Sequence, residues 1–212
     1  MARAPLQNGL ILVTGASSGI GRELARQLAP VARGLVLVAR REERLRELRD
    51  ELVAVHPRLR VVVQPCDLTE GAAIEAMVNA VLEQEGAPDV LINNAGFGDI
   101  HLFQGARWDK LQRMLRLNIE ALTYLTHRLV PPMLQRGTGG ILNISSSLGL
   151  VAVPGFAVYG GTKHYVTAMS DALRAELADT GVVVTQICPG PVETEFIERS
   201  EGPEGLRSPA II

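Results

Sequence analysis

The chain has 212 residues, with 21 Lys and Arg against 23 Asp and Glu for a formal charge of −2. That balance excludes the broad basic surface that nucleic acid or an acidic membrane requires, and 4 % aromatic residues leave little for a base-stacking platform. A 47 % hydrophobic content suits one domain with a sizeable core, while no stretch approaches the roughly 18 consecutive apolar residues of a membrane span.

Short apolar runs alternate with longer helical patterns. Residues 9–14 (GLILVT) read as a buried strand, and 19–29 as a helix with Ile20, Leu24 and Leu28 on one face. A strand at 35–39 precedes a helix at 41–55, where Leu45, Leu48, Leu52 and Val55 recur at helical spacing. A third strand is expected at 59–64 and a helix at 70–84, followed by a strand at 89–93. Residues 108–134 form one long helical pattern, with a break expected near Pro131 and Pro132. A strand at 140–145, a helix at 159–179 and a strand at 182–188 complete the series. Residues 193–212 predict no regular structure. Two cysteines, Cys66 and Cys188, lie beside apolar runs and read as buried thiols; no metal site is expected. Without a secretory pattern at the N-terminus, the cytoplasm is the expected compartment.

Strict alternation of apolar strands and helices predicts an α/β fold: a doubly wound parallel sheet of Rossmann type in three α/β/α layers. Eight units for a closed barrel do not fit this length. In open sheets of this kind ligands bind beyond the carboxyl ends of the strands, so the loops after those ends carry the candidate residues.

After the first strand, Gly15, Ser17, Ser18, Gly19, Ile20 and Gly21 form a loop that opens a helix. Glycines there permit a tight turn and close approach of a pyrophosphate to free helix N–H groups. The alternative is a turn with close helix–sheet packing. No phosphate-loop lysine is present, which argues against ATP or GTP. The second strand ends in Ala39-Arg40-Arg41, where an NAD-preferring site commonly has an acid. Two guanidinium groups instead favour the 2′-phosphate of NADP(H), unless both are solvated starts to a charged helix. Asp67, with Leu68 beside it, either accepts from an adenine amino group or caps the next helix. Asn94, Ala95 and Gly96 form a turn after the fourth strand, facing the same cleft.

Tyr159 and Lys163 are four apart on one helix and share a face. An ammonium so placed lowers a phenol's pKa, and such a phenol can give a proton to a developing alkoxide. Ser146, in the loop after the fifth strand, is positioned to polarise a carbonyl oxygen. Asn118 is polar within an apolar helical pattern and demands a buried partner. Ser145 or Ser147 read as local caps. His164 reads as a solvated or interface residue, Trp108 and Tyr165 as packing residues. Phe97, Ile100, Phe156 and Phe196 are candidates to line an apolar pocket.

TGASSGIG at 14–21, NNAG at 93–96, the YGGTK stretch at 159–163 and Pro189-Gly190 together resemble the short-chain dehydrogenase/reductase family from residue 9 to about 196. The resemblance implies an NADP(H)-dependent oxidoreductase acting on a carbonyl or secondary alcohol, with Asn118, Ser146, Tyr159 and Lys163 as a tetrad. Tyr159 would be the acid/base, and Lys163 would bond the nicotinamide ribose. Ser146 would orient the substrate oxygen. Asn118 would hold a helix kink and a water relaying protons to Lys163. Leu68, Asn94, Ala95, Pro189, Gly190, Val192 and Thr194 would touch the cofactor. A homodimer or homotetramer through the helices at 108–134 and 159–179 is implied. Thr162 stands where many relatives have Ser, keeping a hydroxyl. A seventh strand and most of a substrate lid are expected to be missing, with 193–212 as a truncated lid region of a single 1–212 domain. A non-catalytic dinucleotide-binding or regulatory protein is the alternative that this shortening raises.

Overall fold

Alternation of side chains along the strands decides how the layers form. In the computed structural model, which describes residues 3–192, strand β1 (Leu10–Thr14) sends Leu10 and Leu12 to one face and Ile11 and Val13 to the other. Strand β2 (Gly34–Ala39) divides Val36 and Val38 from Leu35 and Leu37 in the same way. Both faces must then be covered by helices, which is why these strands read as unbroken apolar runs. Helices α1 (Gly19–Leu28) and α2 (Glu42–Val55) cover the Ile11 face through Ala25, Leu45, Leu48 and Leu52. Helix α3 (Gly71–Gln84) covers the Leu12 face with Ile74, Val78 and Val81.

Strands β3 (Arg60–Pro65), β4 (Val90–Asn93), β5 (Gly139–Ile144) and β6 (Val182–Ile187) complete a parallel sheet in the order β3-β2-β1-β4-β5-β6. The side on which successive strands are added switches between β1 and β4, with Leu12 paired to Val36 on one side and Leu91 on the other. That switch point opens a crevice at the carboxyl ends of the strands, where ligands of open α/β sheets bind. Six strands lie among the described residues. Residues 193–212, with Thr194, Phe196 and the expected lid remnant, lie outside them. Among the described residues no helix is long and apolar enough to cross a membrane.

The long helical pattern departs from expectation. Helix α4 (Trp108–Leu115) passes through a π-helical stretch, Arg116–Ala121, into helix α5 (Leu122–Arg136). Pro131 and Pro132 lie inside α5 without breaking it, and the helix ends at Gly137 with φ +68°. The irregularity sits at Asn118 instead. Its amide is drawn to the backbone of Phe97, and a wider turn accommodates that reach. Helix α6 (Ala157–Glu176) starts two residues before the expected 159, so Tyr159 falls in its first turn. It lies over β5 and β6.

Candidate active site

The loop between β1 and α1 has no room for side chains at its glycines. Gly15 has φ +68°, and a Cβ there would stand 2.7 Å from Asn94 Nδ2 and 2.9 Å from Ala95 Cα. A Cβ on Gly21 would meet the Gly15 carbonyl oxygen at 2.5 Å. The loop is thus pressed against the turn after β4, leaving its outer surface to the cleft. Ser18 precedes α1 without a side-chain capping bond, and the first turn holds no acidic residue. The uncapped N–H groups and the helix dipole together suit a phosphate.

Thr14 stitches the switch point. Its hydroxyl donates to the Ile92 carbonyl (3.2 Å) and accepts from the Asn94 and Ala95 N–H groups (3.0 Å each). Asn94 returns its amide to the carbonyls of Thr14 (2.9 Å) and Gly15 (3.3 Å). Its side chain therefore pins the glycine loop.

The cleft extends for about 900 Å³ from Ser17, Ser18, Arg40 and Arg41 to Ser146 and Tyr159. At the β2 end, Arg41 donates to Ser17 Oγ (3.2 Å), and Arg40 stands 3.9 Å from Asp67. Asp67 Oδ1 takes the N–H and hydroxyl of Thr69 at 3.0 and 2.8 Å, leaving Oδ2 toward Arg40. Burial raises the Asp67 carboxyl, but these bonds and the charges of Arg40 and Arg113 outweigh it and hold it below its ordinary value. Asp67 thus holds the turn into α3, and it also lines the cleft. Gly19, Ile20, Leu68, Ala95, Gly96, Pro189, Gly190 and Val192 also line the cleft.

At the other end Tyr159, Ser146 and Lys163 come together. Tyr159 is 6 % exposed, and its phenol is hydrogen-bonded to Ser146. Ser146 Oγ also accepts the Leu148 N–H (3.2 Å), so it caps the turn at Ser147–Gly149. Lys163 Nζ donates to the Ile144 carbonyl (2.8 Å) and lies 5.9 Å from the centre of the Tyr159 ring. Burial pushes the Lys163 ammonium down to about 8, with nearby Cys188 acting the other way. Asn118 Oδ1 accepts the Phe97 N–H (3.2 Å), while Nδ2 donates to the Phe97 carbonyl (3.0 Å) and Thr162 Oγ1 (3.1 Å). A Cβ on Gly96 would lie 3.1 Å from Asn118 Oδ1 and 3.6 Å from Lys163 Nζ, so both polar groups converge beneath that glycine.

Residues 9–204 match the short chain dehydrogenase family. The chain belongs to this family. It is 37 % identical over 199 residues to the dehydrogenase/reductase SDR family member 7 of Homo sapiens, covering 92 % of this chain but only 58 % of that protein. It is 36 % identical over 210 residues to sulfoacetaldehyde reductase 2 of Chromohalobacter salexigens, covering 95 % of this chain and 80 % of that one. Among solved structures, a short-chain dehydrogenase from Sphingobium yanoikuyae in complex with NADPH superposes with a TM-score of 0.84 at 36 % identity. The match covers 91 % of this chain and 75 % of that one.

Several features of this short-chain dehydrogenase correct the sequence reading. The expected lowering of the Tyr159 phenol by Lys163 does not appear. Burial raises the phenol and only the Ser146 bond opposes it, because Lys163 turns its ammonium toward Ile144. Ser145 is no local cap; its hydroxyl ties β5 to α6 through the Lys163 carbonyl (3.0 Å) and Thr167 (2.8 Å). Cys188 is only partly buried and stands near Lys163, whereas Cys66 is buried as expected, its thiol pushed up to about 11 by burial and by Asp67. Trp108 is 67 % exposed, and Tyr165 offers its hydroxyl to Thr123 (2.9 Å). Phe97, Ile100 and Phe156 do line the cleft. Sequence reasoning missed Thr14, whose signal was a lone hydroxyl ending an apolar strand. It also missed the buried chain Thr126–Asn93–Asn143–Ser170, linked at 3.1, 2.9 and 2.9 Å beneath the site.

Proposed function

We propose that this oxidoreductase transfers a hydride between NADP(H) and an apolar ketone or secondary alcohol, with Tyr159 as general acid/base. The observation that carries the reading is one continuous cleft. It joins a glycine loop, a helix N-terminus and Arg40/Arg41 at one end to hydrogen-bonded Tyr159 and Ser146 beside Lys163 at the other. The cradle fits a dinucleotide, because side chains at Gly15 and Gly21 would collide with the backbone that shapes it. The NADPH held by the Sphingobium relative supports the same cofactor. When bound, that group supplies the hydride.

The protein's own residues do the rest. Gly15 to Gly21 and the α1 N-terminus hold the pyrophosphate. Arg40 and Arg41 present forked cations to a 2′-phosphate, and Asp67 Oδ2 accepts from an adenine amino group. Ala95, Gly96, Pro189, Gly190 and Val192 bound the remaining length of the cofactor site. Ser146 orients the substrate oxygen, and Tyr159 donates a proton to that oxygen as it becomes an alkoxide. Lys163, whose Nζ lies 5.9 Å from the centre of the Tyr159 ring, is the cation that would stabilise the phenolate that remains and would also bond a nicotinamide ribose. Asn118 holds the π turn that brings Phe97 and Thr162 to their places. Phe97, Ile100, Leu148, Val153 and Phe156 give the substrate end an apolar wall.

The same reading includes a homodimer or homotetramer built on α4–α5 and α6. Its support is the exposed Trp108, Leu134 and Tyr165 on those helices. Turnover is tested by following NADPH absorbance in the presence of apolar aryl and alkyl ketones. Consumption with NADPH, and loss of it in Tyr159→Phe with NADPH binding retained, is expected. Tight NADPH binding without consumption across the ketones would leave a non-catalytic dinucleotide-binding protein.

A further inference from the structure

Asp99 is a carboxylate placed where an ion pair gives little net stability. Its side chain is 4 % exposed, in the loop between β4 and α4. Its Oδ1 receives Lys110 Nζ of α4 at 2.5 Å and faces His101 Nδ1 at 3.1 Å. Desolvating such a pair offsets most of its attraction, so its use is better sought in specifying geometry. The geometry is a junction of three segments. Lys110 belongs to α4, Asp99 and His101 to the loop before it, and the His101 N–H donates to the Gly155 carbonyl (3.0 Å) just before α6. Tyr159 follows Gly155 by four residues and packs against Leu111 and Met114, which neighbour Lys110 along α4.

Tyr159 borders two spaces. The large cleft is one, and a cavity of about 10 Å³, whose walls include Asp99, His101, Leu111, Met114 and Gly155, is the other. That second space is about the size of a single water molecule. Slackening the walls would let the ring recede from the cleft into it. We propose that Asp99 is a positioning residue for Tyr159: by gripping Lys110 and His101 it closes the space behind the ring and sets how far the phenol stands into the cleft. This deepens the assignment of Tyr159 as the proton donor and rests on it only for its effect on rate.

The test uses the full chain labelled with fluorotyrosine. Its three tyrosines, Tyr124, Tyr159 and Tyr165, give three fluorine NMR signals, assigned by single Tyr→Phe changes. In Asp99→Asn the Tyr159 signal is expected to shift or broaden while those of Tyr124 and Tyr165 stay. NADPH affinity, measured by fluorescence titration, should remain within about twofold. The kcat for the probe ketone trifluoroacetophenone should fall about tenfold to a hundredfold, with a small change in KM, as expected of a misplaced reacting group. Asp99→Asn removes the charge from a buried ion-pair partner and can fail to fold, so Lys110→Met, which removes the other strut, is measured beside it and should show the same displaced signal. An unmoved Tyr159 signal in the folded variants would overturn the proposal. Full turnover in Tyr159→Phe would instead overturn the proton-donor assignment, leaving the fluorine result to judge Asp99 by itself.

Discussion

Lys163 shows what a single buried cation costs the fold. Burial lowers its ammonium from 10.5 to about 8 in the folded chain. Between those values the unfolded chain holds a proton that the folded chain lacks, so stability rises with pH across the window. The penalty is fully present below about pH 8. Lys163→Met should therefore stabilise the free protein near pH 7 by about 1–3 kcal/mol, the lost bond to Ile144 offsetting part of the gain. Urea unfolding near pH 7 and near pH 10 checks this. The gain should shrink at the higher pH, and a loss of stability at pH 7 would refute it. Arg40 is a residue of the opposite kind, half-exposed and cheap to hold. Arg40→Ala should weaken NADPH about tenfold or more while changing NADH little, because only the former offers a 2′-phosphate to the guanidinium. Equal weakening of the two, by titration, would move that contact elsewhere. The motif residues were legible because their types and spacing carry chemistry. Lys163's turn toward Ile144 was not, because a backbone acceptor leaves no trace in the sequence.

At the scale of elements, the helices show which irregularities a sequence reveals. Two prolines suggested a break that α5 does not have, while Asn118 marked the true irregularity in the π turn. The polar residue in an apolar pattern was the better signal, since its amide had to find partners and the backbone widened to let it. Helix α6 begins two residues before Tyr159 and carries Gly160 and Gly161 immediately after it. Among the described residues a Cβ on Gly161 would meet nothing within 4 Å, so no described contact requires glycine there. Gly161→Ala should stabilise the protein by about 0.5–1 kcal/mol, read as a higher urea midpoint with the slope unchanged. A loss instead would mean that this face of α6 is closely covered in solution, as a homo-oligomer built on it would require. The buried chain from Thr126 to Ser170 was illegible for a different reason. It joins two strands and two helices far apart in sequence, and polar residues acquire that meaning only when the sheet is assembled.

For the whole molecule, topology does what no local motif can. The order β3-β2-β1-β4-β5-β6 brings the loops after β1 and β4 side by side, so that Thr14 and Asn94 can lock them together. It also sets the loop after β5, with Ser146, against the first turn of α6, with Tyr159. Strand alternation made this layering readable in advance, because each buried run needed helices on both faces. The proposed carbonyl substrate follows from chemistry: a phenol, a hydroxyl partner and an apolar wall at one end of a dinucleotide-sized cleft. The most direct test follows the transferred atom. NADPH carrying deuterium at the transferable position is incubated with trifluoroacetophenone, and the alcohol product is weighed by mass spectrometry. One deuterium at the carbinol carbon is expected with the unaltered protein, and none is expected to be delivered when Tyr159 is replaced by Phe. Product formed without deuterium, or deuterium delivered equally well by the Phe variant, would contradict hydride transfer coupled to a proton from Tyr159.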